Sequence, residues 1–173
     1  FIKTNKINKL NDLKALLRSE TVESAVIFCN KKTEINKVSN FLNSNNFKTV
    51  CLHGDMDQSL RIKSLDRFKH KLAEILIASD VAARGVDIKG LSHVFNYDVP
   101  NNPEDYIHRI GRTGRAGKKG KAYTIFDESD DKNILLIEKL IKAKVNKIDI
   151  KEFVSSKSLL SKKSSSINKI KRQ

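Results

Sequence analysis

Five short apolar runs alternate with longer stretches of helical spacing, and this rhythm restricts the fold more than any other property of the chain. Residues 24–29, 48–52, 74–78, 92–97 and 122–126 read as short, buried strands. Between and around them, apolar residues recur at the spacing of amphipathic helices. Residues 6–19 carry Ile7, Leu10, Leu13, Leu16 and Leu17; residues 33–44 carry Ile35, Val38, Phe41 and Leu42. Residues 58–70 place Leu60, Leu65 and Phe68 on one side, and residues 131–143 carry Ile134, Leu135, Ile137, Leu140 and Ile141. Strands that alternate with helices at this spacing predict a three-layer α/β domain. Its mainly parallel sheet is covered by helices on both faces and joined by right-handed crossovers. In such sheets ligands gather at the carboxyl ends of the strands.

The chain has 173 residues, enough for one ordinary domain and a tail. Residues 1–150 are expected to form the domain. Residues 151–173 are expected to be a disordered Lys/Ser-rich tail, because Ser155 to Gln173 holds six Lys or Arg and no acid. The opening residue is Phe1 rather than Met, so a fragment of a longer product is expected. A surplus of 34 Lys and Arg over 20 Asp and Glu, a net +14, favours a polyanionic partner, with nucleic acid and an acidic lipid surface both open. No apolar run is long enough to span a bilayer and no secretory leader is visible, so a cytoplasmic, membrane-free protein is expected. Cys29 and Cys51 each lie in an apolar run, with no clustered ligands beside them. Core packing in a reducing compartment is the reading, and no metal site is assigned.

Four polar segments follow these elements. Asn30-Lys31-Lys32 comes after the first buried run, where an amide and two ammonium groups beside a helix start can hold a phosphate backbone. His53-Gly54-Asp55-Met56-Asp57-Gln58 leads to Arg61; Gly54 and Asp55 mark a tight turn, and Asp57 can serve simply as a helix cap. Ala78 to Asp87 supplies the Ser79 hydroxyl, the Arg84 guanidinium, the open backbone of Gly85 and the Asp87 carboxylate. Asp80 and Asp87 read equally as caps or as ion-pair partners of nearby arginines. The fourth segment, His108-Arg109-Ile110-Gly111-Arg112-Thr113-Gly114-Arg115-Ala116-Gly117, concentrates arginines and glycines. Its guanidinium forks suit phosphate oxygens, and Arg112 and Arg115 are spaced to reach one phosphoryl group together if a helix ends near Gly111. A basic glycine-rich loop that binds nucleic acid without specificity is the plainer reading.

Taken in order, these segments resemble the motifs of the second, C-terminal RecA-like domain of DEAD-box RNA helicases, from about Asn5 to Lys144. Residues 25–30 resemble motif IV, His53 to Arg61 the adjoining Gln/Arg motif, Ala78 to Asp87 motif V, and Tyr106 to Gly117 motif VI. Asn101-Asn102-Pro103-Glu104-Asp105-Tyr106 and Ile137-Glu138-Lys139-Leu140-Ile141 are similar to the bacterial RhlE-like branch. The resemblance implies that Arg112 and Arg115 are arginine fingers acting on ATP, that Asp87 meets the ATP ribose, and that His108 links the nucleotide and RNA sites, with Gly85 also at the nucleotide. It implies that Asn30, Lys31, Gly54, Gln58, Arg61, Ser79, Arg84 and Gly85 line an RNA backbone groove. Ser79 stands where the family usually has Thr, and Lys31 where Thr often follows the motif IV Asn.

Neither Gly-x-x-x-x-Gly-Lys-Ser/Thr nor Asp-Glu-Ala-Asp occurs in the chain. The phosphate loop and the carboxylates for Mg2+ are therefore expected on an N-terminal RecA-like domain, the implied protein partner, and the chain alone is expected to be inactive. A stand-alone RNA-binding module that does not hydrolyse ATP is the alternative. A DNA-directed relative fits less well, because such proteins usually open motif VI with Gln.

Overall fold

The computed structural model describes residues 1–114 and 119–170, apart from the side chains of 161–170. Seven strands form one sheet in the order β3-β4-β2-β5-β6-β1-β7. They are β1 (Ile2–Lys3), β2 (Ala25–Phe28), β3 (Thr49–Leu52), β4 (Ile75–Ala78), β5 (His93–Asn96), β6 (Lys121–Phe126) and β7 (Ile148–Asp149). Every pairing is parallel, with Ala25 opposite Ile75 on one side and His93 on the other.

The period-two geometry of strands explains why the buried runs are apolar throughout. Ala25, Ile27, Ile75, Ile77 and Phe95 join one cluster with Leu13, Leu16 and Leu17 of α1 (Lys9–Ser19) and Ile35, Val38 and Leu42 of α2 (Lys32–Ser44). Val26, Phe28, Leu76, Ala78 and Val94 face the other way. They pack with Phe68 of α3 (Gln58–Lys69) and with Ala82 and Ala83 of α4 (Asp80–Ala83). A third cluster sets Ile134 and Ile137 of α6 (Asp131–Ile141) against Val99 and Phe126, with Tyr106 of α5 (Pro103–Ile110) alongside. Cys29 is a buried free thiol, and burial pushes its pKa well up.

Two side chains expected on inward helix faces are corrected. Ile7 and Leu60 are exposed, since α1 starts after Ile7 and α3 buries only Phe68 fully. Strands β1 and β7, two residues each, carry too little pattern to be read from sequence. At the expected boundary, residue 150, α7 (Ile150–Ile170) begins. Ile150, Phe153 and Val154, at helical spacing, pack on the α1 side of the sheet, and these few apolar contacts dock a segment whose overall composition reads as a tail.

At the amino-terminal edge of the strands, the Glu20 carboxylate is almost wholly buried and accepts hydrogen bonds from Lys121, Tyr123 and Lys157. His93 Nε2 lies 3.4 Å away, while its ring stacks on Phe95. Burial favours the neutral acid, but the hydrogen bonds from Lys121, Lys157, Tyr123 and His93 outweigh it and hold the carboxyl at about 2. The hub thus joins α1, β5, β6 and α7 away from the opposite, carboxyl edge.

Candidate functional site

The polar segments gather at the carboxyl edge because each follows a parallel strand. After β2 comes Asn30, after β3 the His53–Arg61 turn, after β4 the Ser79–Asp87 segment, and after β5 the approach to α5. Pro103 occupies the first turn of α5, and Asn102 caps it by accepting a hydrogen bond from the Glu104 amide at 3.1 Å. The helix ends at Gly111, so Arg112 emerges from a fixed point.

Arg109, which the sequence reading grouped with the phosphate-binding arginines, is instead turned wholly inward at 1% exposure. Its Nε and Nη2 donate to the two carboxylate oxygens of Asp80 at 2.7 and 2.6 Å. Nη2 also donates to Asn30 Oδ1 at 2.8 Å, and Nη1 donates to the Asp98 carbonyl at 2.8 Å. The guanidinium lies over the Phe28 ring, 5.1 Å from its centroid. One side chain therefore fastens the ends of β2, β4 and β5 to α5, a bidentate and multiply bonded role that lysine cannot copy. The signal in the sequence was the Asp80 carboxylate, already a candidate ion-pair partner.

Beside this hub lies a cavity of about 230 Å³ lined by Phe28, Asp80, Ala83, Arg84, Gly85, Asp105, His108, Arg109 and Arg112. Four expected residues meet there. Gly85 has φ of +77°, a backbone that side chains seldom adopt, and nothing crowds the position of a Cβ. Arg84 Nη2 bonds Asp105 at 2.9 Å, and His108 Nδ1 stands 3.7 Å from the same carboxylate. Arg112 donates to the Val86 carbonyl at 3.2 Å, which leaves most of its donors uncommitted among the described residues. Arg115 lies outside the described residues.

The described backbone that follows Arg112 is anchored. Thr113 bridges Leu91, with its hydroxyl donating to the Leu91 carbonyl, and the Leu91 amide donates to the Arg112 carbonyl at 3.1 Å. Gly120 passes so close that a Cβ there would come within 1.8 Å of Thr113 Oγ1 and 2.4 Å of the Gly114 nitrogen. Composition alone did not reveal this packing.

The remaining candidates lie along the carboxyl edge outside the cavity lining. Asn30 spends its amide internally, receiving Arg109 and donating to the Val99 carbonyl at 2.9 Å, so its side chain orders the site. Lys31 is exposed at the start of α2, while Lys32 pairs with Asp55. Gly54 and Gln58 are exposed around the turn into α3, where Asp57 is the cap and accepts the Leu60 amide at 2.9 Å. Arg61 reaches the Ala82 carbonyl at 3.5 Å, and Ser79 caps α4 by accepting the Ala82 amide at 3.4 Å. Asp87 is exposed and paired with Lys89 at 3.2 Å. No group of three His, Cys, Asp or Glu side chains suited to a metal ion occurs among the described residues. Nor is any described helix long and apolar enough to cross a membrane.

The parallel sheet, with helices on both faces and an arginine-lined cavity at its carboxyl edge, has the architecture of a RecA-like domain. The helicase conserved C-terminal domain family matches residues 8–117. A relative in Helicobacter pylori, the DEAD-box ATP-dependent RNA helicase RhpA, is 43% identical over 150 residues, covering 87% of this chain and 30% of the relative. The chain thus spans about a third of the length of the curated relatives it matches. The C-terminal domain of the DEAD-box protein Dbp5 superposes with a TM-score of 0.81 at 31% identity, covering 93% of this chain and 96% of that one. Saccharomyces cerevisiae Dbp5 bound to RNA and ADP BeF3 matches with a TM-score of 0.80 at 32% identity, covering 93% of this chain and 43% of that one. The chain belongs to the helicase conserved C-terminal domain family, as the second RecA-like domain of the DEAD-box kind.

Proposed function

We propose that the domain supplies arginine fingers and one wall of an RNA groove to a two-domain, ATP-dependent RNA helicase that separates duplexes locally. The observation that carries this reading is Arg112, fixed at the end of α5 in a cavity with Arg84, Gly85 and His108, its guanidinium held by one backbone carbonyl. Such a cation fits the phosphate oxygens of ATP, and fingers of this kind contribute about 10³ to 10⁵ in rate in other nucleotide hydrolases. Arg115 is the second finger, exposed Asp87 accepts from the ribose, and His108 relays between nucleotide and RNA. Lys31, Gly54, Gln58, Arg61, Ser79, Arg84 and Gly85 line the RNA backbone along the strand ends, and Asn30 supports them from beneath.

The Mg2+ that accompanies ATP is assigned to an N-terminal RecA-like domain, which also carries the phosphate loop. Action in the cytoplasm fits the protein's charge and free cysteines. Placement in the RhlE-like branch rests on the Asn-x-Pro-Glu-Asp-Tyr stretch, whose Pro103 and Asp105 serve α5 and Arg84. The test is RNA-stimulated ATP hydrolysis by this chain alone and mixed with the N-terminal domain of a close relative. Activity is expected only in the mixture and is lost in Arg112→Ala. Activity of the chain alone, or an active Arg112→Ala mixture, would overturn the reading, and salt-sensitive RNA binding with no hydrolysis would point to a binding module.

A further inference from the structure

We propose that Lys9 and Asp98, which lie outside the four segments read from the sequence, act together as positioning residues for the finger-bearing helix α5; the proposal rests on the helicase reading above. Asp98 follows β5 and meets three separate elements. Its Oδ1 accepts from Lys9 Nζ of α1 at 3.0 Å, its Oδ2 accepts from the Asn30 backbone N–H at 2.9 Å, and its carbonyl accepts from Arg109 Nη1 at 2.8 Å. Lys9 also lies over the Tyr97 ring at 4.7 Å. The Lys9 and Asp98 side chains are 14% and 19% exposed, so the pair is largely withdrawn from water.

A buried ion pair adds little net stability over an apolar pair of similar size, because desolvation offsets the attraction. Its distinctive contribution is geometric. With Lys9 in place, the Asp98 carboxylate is held at one angle, and that angle sets the Asn30 backbone. Asn30 Oδ1 and the Asp98 carbonyl are two of the acceptors that orient Arg109, and Arg109 lies one turn before Arg112. The contact path runs from α1 through Asp98 to Asn30 and Arg109, and then along α5 to the finger. Loosening its first link lets α5 settle differently, while the fingers and the RNA-facing side chains remain chemically intact.

The experiment uses the two-domain helicase that carries this chain, with Lys9→Met, Asp98→Asn, the double variant and Lys9→Arg. Steady-state RNA-stimulated ATPase gives kcat and KM for ATP, and circular dichroism follows thermal unfolding. A misplacement of the finger by a fraction of an ångström to one ångström corresponds to a fall of about 10-fold or more in kcat. That fall is expected in both single variants, with KM for ATP unchanged and largely restored activity in Lys9→Arg. The double variant should lose no more than the worse single variant, because both break one link. Unchanged kcat in folded single variants, additive losses in the double variant, or losses that vanish below the unfolding range would each overturn the proposal. Arg112→Ala measured alongside separates the two claims: if it stays active, the finger reading fails. If it is inactive while the Lys9 and Asp98 variants match the parent, only the positioning role fails.

Discussion

Replacing Glu20 by glutamine removes the charge at the centre of the hub on the amino-terminal edge and leaves its shape almost unchanged. A carboxyl held at about 2 instead of the ordinary 4.5 corresponds to at most about 3.4 kcal/mol of stability. Lys121, one of its partners, is 51% exposed, so water and salt screen part of this and about 2 kcal/mol is the expected share. Because the folded pKa lies below the unfolded one, that share is complete above about pH 4.5 and is lost as pH falls toward about 2. Urea unfolding of this chain, followed by circular dichroism at a series of pH values, measures it. At neutral pH, Glu20→Gln should be less stable than the parent by about 2 kcal/mol, and the gap should close on acidification. Other carboxylates titrate in the same range, but they are common to both proteins and cancel in the difference. A gap absent at neutral pH, or one that stays constant down to the acid limit, would refute the reasoning.

Arg109→Ala should destabilise the domain by about 3 to 5 kcal/mol, since it strands the Asp80 carboxylate, and Arg109→Lys should recover only part of this; chemical denaturation checks both. Gly120→Ala should cost about 3 kcal/mol or displace the Thr113 segment, because the added Cβ meets backbone as well as a hydroxyl. A stability equal to the parent, with unchanged amide chemical shifts at Thr113 and Gly114, would refute it. Asp57→Ala should cost about 1 kcal/mol through loss of the α3 cap, measured by the same unfolding curves, with Asp57→Ser restoring most of it.

The sheet was legible because residues such as Val26, Ile27, Leu76 and Ile77 are buried whichever face they point to, which leaves an unbroken apolar signature. The same was true of α2, whose inward stripe of Ile35, Val38 and Leu42 needs no tertiary information. What escaped depended on contacts between distant segments. β1 and β7 are strands only because neighbouring strands pair with them, and α7 docks through a handful of apolar side chains in a Ser/Lys-rich stretch. At the site, the motifs fixed which segments assemble and marked Arg112 and Arg115 for the phosphates, but they left the role of Arg109 open. Only the burial of Arg109 against Asp80 separates the structural guanidinium from the available one at Arg112.

The docking of α7 bears on how the domain can be cut and joined. A fusion or expression boundary drawn at residue 150, just ahead of the Ser/Lys-rich stretch, would discard Phe153 and Val154, bare part of the apolar surface beneath them and take Lys157 from Glu20. Such a product would expose that surface to other chains and invite precipitation. A boundary placed after Leu160 keeps the docked turns, so a reporter attached there would hang from a helix already seated on the domain.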